Sequence, residues 1–143
     1  MRQRRPLRGF VLLVVEDDAE TLAAITQLIT DVFGCRVLGT RSAEEALRIV
    51  DSGMDVDLVF ADVVMPSKDG VTLAHEIRQR LPAVPVVLAT GRPDVVDSVI
   101  HRGGIALLKP YSIDRLEAVF TEQLPHRRAE ARHLTSRPRV IGG

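Results

Sequence analysis

The chain has 143 residues, 45% of them hydrophobic, which suffices for one domain with an ordinary core and leaves no room for a second. Its 19 basic and 19 acidic residues cancel, so bulk charge points neither to a nucleic-acid binder nor to a membrane-surface protein. No stretch approaches the roughly 18 apolar residues of a membrane span. The balance is uneven along the chain: each end is +4, from four arginines in residues 1–10 and five arginines against Glu130 in residues 126–143, and the middle holds 10 bases and 18 acids, a charge of −8.

Residues 1–9 form a basic extension. The apolar run Phe10–Val15 then reads as a first strand; it is too short for a secretion signal and stops at Glu16, Asp17 and Asp18, so a cytoplasmic protein is expected. Ala19–Phe33 has a helical period, with Leu22, Ile25, Ile29 and Val32 along one face. Cys35–Gly39 is a second strand. Cys35, the single cysteine, belongs in the core, excludes an internal disulfide or a cysteine-based zinc cage, and fits a reducing compartment. Ala43–Val50 is a helix whose Ser42 and Glu45 form a capping box.

Asp57–Ala61 is a third strand, closed by Asp62 and a turn marked by Pro66 and Asp69-Gly70. A helix over Val71–Leu81, a strand over Val84–Ala89, Thr90-Gly91, a helix over Asp94–Arg102, a strand over Ile105–Leu108, Lys109-Pro110 and a helix over Ile113–Leu124 complete the domain, residues 10–124. Residues 125–143 are expected to be a basic tail, mobile or continuing the last helix.

The strands are continuously apolar rather than alternating, as in strands covered on both faces. Strand and helix alternate five times, which calls for an α/β fold with a doubly wound parallel sheet; the common five-stranded order is 2-1-3-4-5. Ligands of such sheets bind beyond the carboxyl ends of the strands, at the switch point between the first and third.

Four features fall at those ends. Glu16, Asp17 and Asp18 follow the first strand and Asp62 follows the third, so the acids converge. Crowded carboxylates either raise one another's pKa or hold a cation, and hard oxygen ligands favour Mg²⁺. Acids at a helix start also complement its dipole, which is the preferred reading for Asp18 and an equal alternative for Glu16 and Asp17 taken alone. A positioned aspartate such as Asp62 can act as a phosphoryl nucleophile, although a lone aspartate there is more often a cap. Thr90 can donate to a phosphate oxygen, Gly91 leaves space and an N–H, and Lys109 offers a point charge next to a proline able to form a cis bond. Singly these are weak signals; in this order they are specific.

Over about Val11 to Leu124 the sequence resembles the receiver domain of bacterial two-component response regulators, of the chemotaxis type. Val14-Val-Glu-Asp-Asp18, Asp57-Leu-Val-Phe-Ala-Asp62, Met65-Pro66, Asp69-Gly70, Ala89-Thr90-Gly91 and Leu108-Lys-Pro110 carry the resemblance. It implies a flavodoxin-like fold, with Asp62 as phosphoacceptor, Asp17 as a direct Mg²⁺ ligand, Glu16 holding the ion through water and Val64 adding a main-chain carbonyl. Thr90 would contact the phosphoryl group, and Lys109 would pair with its oxygens or with Asp62. The donor would be a histidine kinase or histidine phosphotransfer protein. The receiver would catalyse its own phosphorylation and dephosphorylation, a switch rather than a metabolic enzyme.

Receivers commonly carry Tyr or Phe where this chain has Ala106; Tyr111, after Pro110, holds a position where the family often has an aromatic. The Leu88-Ala-Thr-Gly-Arg92 run partly resembles a single-domain subgroup that also lacks the first aromatic. The expected output is a shift of the face formed by the fourth helix, fifth strand and fifth helix, which selects a protein partner. Alternatives are a constitutive interaction module and a receiver segment of a hybrid kinase; Met1 and the tail favour a stand-alone chain. A nucleic-acid contact through the arginine-rich ends has low weight, since the −8 core repels a polyanion. A nucleotide-binding Rossmann site has still lower weight, because acids stand where a glycine-rich turn would have to be.

Overall fold

A computed structural model describes residues 7–135, with side chains through residue 124. The strands are β1 (Val11–Val15), β2 (Arg36–Thr40), β3 (Leu58–Asp62), β4 (Val86–Thr90) and β5 (Ile105–Leu108). The helices are α1 (Ala19–Leu28), α2 (Ala43–Asp51), α3 (Gly70–Arg80), α4 (Pro93–His101) and α5 (Ile113–Thr135). All strand pairs are parallel and the sheet order is β2-β1-β3-β4-β5, as the alternation of elements implies.

Because side chains alternate across a strand, each continuously apolar strand feeds two cores. Leu13, Val15, Val59, Ala61, Leu88 and Ala106 pack with α2, α3 and α4. On the opposite face, Leu12, Val14, Leu58, Phe60, Val87 and Leu107 meet Leu116, Val119, Phe120 and Leu124 of α5 and the partly buried Leu22 and Ile25 of α1. Phe120 stands edge-on to Phe33 and Phe60, with centroids 6.0 and 5.4 Å away, and Phe60 in turn meets Tyr111 at 6.0 Å. Such contacts add about 0.5–1.5 kcal/mol each beyond area burial, so this chain of rings stiffens the path from the α5 core toward the strand ends.

The first helix departs from expectation. Regular α-helix stops at Leu28, and Ile29–Phe33 form a π-helical turn that ends at Gly34, whose φ of +75° glycine adopts without steric cost. Ile29 and Phe33 are both fully buried, so the wider turn still serves the core. The α2 cap is also offset. Ser42 Oγ accepts from the Glu45 N–H at 3.1 Å, but the Glu45 carboxylate returns to the N–H of Arg41, one residue before the expected position. Cys35 is buried just ahead of β2 rather than within it, and burial, with the Asp57 charge behind it, pushes its thiol up to about 12.

The packed chain begins before β1: Leu7 is buried and its N–H donates to the carbonyl of Phe33. The rest of the basic N-terminal extension, residues 1–6, lies outside the described residues, as do the side chains of the arginine-rich tail. No helix among the described residues is long and apolar enough to cross a membrane.

Candidate functional site

The carboxyl ends of β1, β3, β4 and β5 bring the sequence-selected residues together. Glu16 follows β1 directly and is held there by its N–H donating to Thr40 at the end of β2. Asp62 is the last residue of β3, and the two strands are paired in register up to Val15 and Ala61. Glu16, Asp17 and Asp62 each present a carboxylate oxygen, all within 4.8 Å of one another. Glu16 is buried, and Asp17 and Asp62 are partly buried.

Lys109, which follows β5, donates from Nζ to Asp62 Oδ1 at 3.1 Å, and the bond between it and Pro110 is cis. Its own N–H donates to the Thr90 carbonyl. Thr90 ends β4 and is buried; its hydroxyl oxygen accepts from the N–H of Arg92, the residue that caps the start of α4, at 3.2 Å. Val64 lies in the β3–α3 loop with its side chain exposed. Beyond its own chain neighbours, no described residue comes within 4 Å of where a Cβ at Gly91 would stand, so packing alone does not demand that glycine.

Asp18 is not part of this carboxylate cluster. Its Oδ2 accepts from Thr21 N–H at 2.9 Å and Oγ1 at 2.6 Å, so it is the N-cap of α1, and these bonds hold its carboxyl below the usual range. Glu16 is shifted the other way. Burial raises its pKa, the Asp62 charge adds to that, and the Asp18 N–H and Lys109 oppose it.

Three further residues at the site were not assigned a place there from the sequence. Arg41, after β2, donates from Nε and Nη2 to the Asp17 carbonyl at 3.1 and 3.0 Å, clamping the backbone of one clustered acid. Gly70 is packed against the β3 end: a Cβ there would lie 2.4 Å from the Asp62 carbonyl oxygen and 2.9 Å from Val63 Cα. Tyr111 lines a small cavity with Glu16, Asp62 and Lys109, and burial, followed by the charges of Glu16 and Asp62, raises its pKa. Asp69-Gly70 carried a hint as a turn signal, and Tyr111 one through the resemblance. Arg41 and Tyr111 depend on how loops meet in space.

The donor set fits a divalent cation. Three hard carboxylates and one ammonium leave a surplus of two negative charges, and a buried glutamate with a raised pKa is relieved by a positive ion. Mg²⁺ matches such oxygen ligands.

Similarity to known proteins agrees with this geometry. The chain is 36% identical over 89 residues to the transcriptional regulatory protein CpxR of Klebsiella pneumoniae, covering 62% of this chain and 37% of that protein. It is 31% identical over 133 residues to ZraR of Salmonella typhimurium, covering 91% of this chain and 30% of that one. The chain thus spans only about a third of these relatives. Among solved structures, a response regulator receiver domain protein of Clostridium thermocellum matches with a TM-score of 0.76 at 27% identity, over 84% of this chain and 98% of that one. The signal receiver domain of an HD domain-containing protein of Pseudomonas fluorescens matches at 0.74 and 29%, over 92% and 96%. The model of the response regulator receiver domain matches residues 12–121. With that match across most of its length, and the fold and acidic strand-end cluster to go with it, the chain belongs to the response regulator receiver domain family.

Proposed function

We propose that this receiver, a module of two-component signalling, accepts a phosphoryl group on Asp62 from the phosphohistidine of a histidine kinase or phosphotransfer protein. The observation that carries the reading is the convergence of Glu16, Asp17 and Asp62 within 4.8 Å, with Lys109 bonded to Asp62 at 3.1 Å. An Asp62 carboxylate oxygen forms the new O–P bond as the N–P bond of the donor breaks, and the electron pair of that bond returns to the imidazole nitrogen. The product is an acyl phosphate, which water later hydrolyses. The protein is thus a switch that assists its own phosphorylation and dephosphorylation, not a metabolic enzyme.

Glu16, Asp17, Asp62 and the main-chain carbonyl of Val64 would hold Mg²⁺, Glu16 through water. When bound, the ion neutralises charge on the carboxylates and the transferred oxygens. Lys109 shifts from Asp62 to a phosphoryl oxygen, a short move for a flexible point charge. Arg41 keeps the Asp17 backbone in place meanwhile.

Output begins at Thr90. Its hydroxyl accepts from Arg92, so turning toward the phosphoryl group gives up that bond and perturbs the start of α4 directly. With alanine at 106 there is no ring to relay the motion, and this bond is a route that needs none. One charge-assisted contact is enough to bias a two-state element about tenfold. The partner would read the face built by α4, β5 and α5, elements that carry the exposed Ile100, Leu108 and Ile113.

Incubation with acetyl phosphate and Mg²⁺, followed by native mass measurement, tests the reading. A single added phosphoryl mass on the natural protein, absent with EDTA and absent from Asp62→Asn, is expected. An adduct that survives in Asp62→Asn contradicts it.

A further inference from the structure

Between α3 and α4 lies a groove of about 540 Å³ that the phosphoryl site does not use. Its volume falls within the roughly 300–1,000 Å³ of small-molecule pockets. Val71, Ala74, Leu88, Val95 and Val99 supply an apolar lining. His75 and Arg78 of α3 stand on one wall, and Arg102, at the end of α4, on the other.

The charge here runs against the rest of the domain. Asp94 is the single acid lining the groove, and its carboxylate is occupied by Arg92 at 2.8 and 3.3 Å. Arg80, two residues along α3, pairs with Asp51, whereas Arg78 and Arg102 make no ion pair among the described residues. Arg102 is exposed, and so is Arg78. The Nη2 of Arg78 lies 3.6 Å from where a Cβ on Gly104 would stand, so the guanidinium reaches across from α3 to the turn between α4 and β5. A Cβ at 104 would meet it at ordinary contact distance and would clash with Val99 Cγ1, 2.8 Å away.

Two guanidinium forks that make no ion pair among the described residues and that line one groove with aliphatic side chains, in a domain of charge −8, complement an anion that has an apolar body. We propose that the α3–α4 groove is a binding site for a small organic carboxylate with a flat apolar body. Arg78 and Arg102 take the carboxylate, for which their planar forks are geometrically suited, and the valines and Leu88 cover the rest. This goes beyond the receiver reading and does not depend on it: the groove shares none of Glu16, Asp17, Asp62 or Lys109.

The probe is 2-naphthoate, titrated into the full chain and followed by amide chemical shifts, with neutral 2-naphthamide as its isostere. Saturable shifts gathered at Val71, Ala74, Leu88, Val95, Val99 and Gly104 are expected, with 2-naphthamide at least about tenfold weaker, as loss of a charge-assisted contact implies. Arg78→Met and Arg102→Met should each weaken 2-naphthoate by a similar factor, Arg78→Lys by less, and Arg48→Met on the exposed side of α2 not at all. Equal binding of the acid and the amide, shifts centred elsewhere, or unchanged affinity in both methionine variants would overturn the proposal. So would shifts at the groove caused by an acidic, phenylalanine-containing peptide but not by 2-naphthoate, which would assign the groove to a protein partner. The acid–amide comparison uses the unaltered protein and therefore decides even if a variant fails to fold.

Discussion

Replacing Glu16 with glutamine removes one charge from the strand-end cluster while keeping the shape and the oxygen that accepts from Asp18 at 3.0 Å. In the metal-free protein, Glu16 has two carboxylate neighbours within 4.8 Å. At that distance a like-charge pair costs about 1 kcal/mol in water and about 3.5 kcal/mol at the effective dielectric of a protein surface. The lost attraction to Lys109 and the weaker bond from Asp18 offset part of this. The net expectation for Glu16→Gln is a metal-free protein more stable by about 1–2 kcal/mol, a Tm rise of roughly 5 °C. Saturating Mg²⁺ reverses the order, because a ligand at a hundred times its Kd stabilises the natural protein by about 2.7 kcal/mol and the variant has lost part of the site.

The pH dependence has a fixed sign. Glu16 titrates above its ordinary 4.5 when folded, so the native state holds its proton more tightly than the unfolded chain does. This contribution to stability is full below 4.5 and is lost as pH rises through the raised value, and Glu16→Gln should lack that component. Melts by circular dichroism in EDTA and in Mg²⁺ measure both effects. A variant less stable than the natural protein in EDTA would refute the reasoning that burial and like-charge repulsion together disfavour the Glu16 carboxylate.

Gly70→Ala places a methyl 2.4 Å from the Asp62 carbonyl oxygen, so chemical denaturation should show a loss of about 2–4 kcal/mol, along with weaker Mg²⁺ binding as the β3 end moves. Lys109→Met removes the Asp62 ion pair; because Lys109 is 38% exposed, its stability cost in EDTA should stay near 1 kcal/mol, whereas labelling by acetyl phosphate should slow by more than about tenfold. Arg41→Ala frees the Asp17 carbonyl from two hydrogen bonds, and calorimetry should find Mg²⁺ affinity lowered by several-fold with little change in Tm.

The sheet was legible because its central strands β1, β3 and β4 are buried on both faces: runs such as Val11–Val15 and Val86–Val87-Leu88-Ala89 admit few other placements. The convergence of Glu16, Asp17, Asp62 and Lys109 was legible because these residues follow or end strands, and the topology brings those ends together. The π-helical turn was not, since Ile29 and Phe33 are apolar at a spacing that suits a regular helix equally well. The shifted capping bond, from Arg41 rather than Ser42, depends on a backbone approach angle that no residue type announces. Arg41 itself reaches Asp17 only because β2 runs beside β1 in a particular register, Val15 opposite Thr40. The α3–α4 groove was invisible for a related reason: Arg78 and Arg102 are separated in sequence, and each alone reads as a solvated surface charge.

The claim on which the account rests is that Asp62 carries the phosphoryl group. Borohydride reduction of the phosphorylated protein, which converts an aspartyl phosphate to homoserine, followed by peptide mapping, locates the modified residue. Homoserine at position 62, formed with Mg²⁺ and not with EDTA, is the expected result. Homoserine at Asp17 or elsewhere, with Asp62 unchanged, would contradict it.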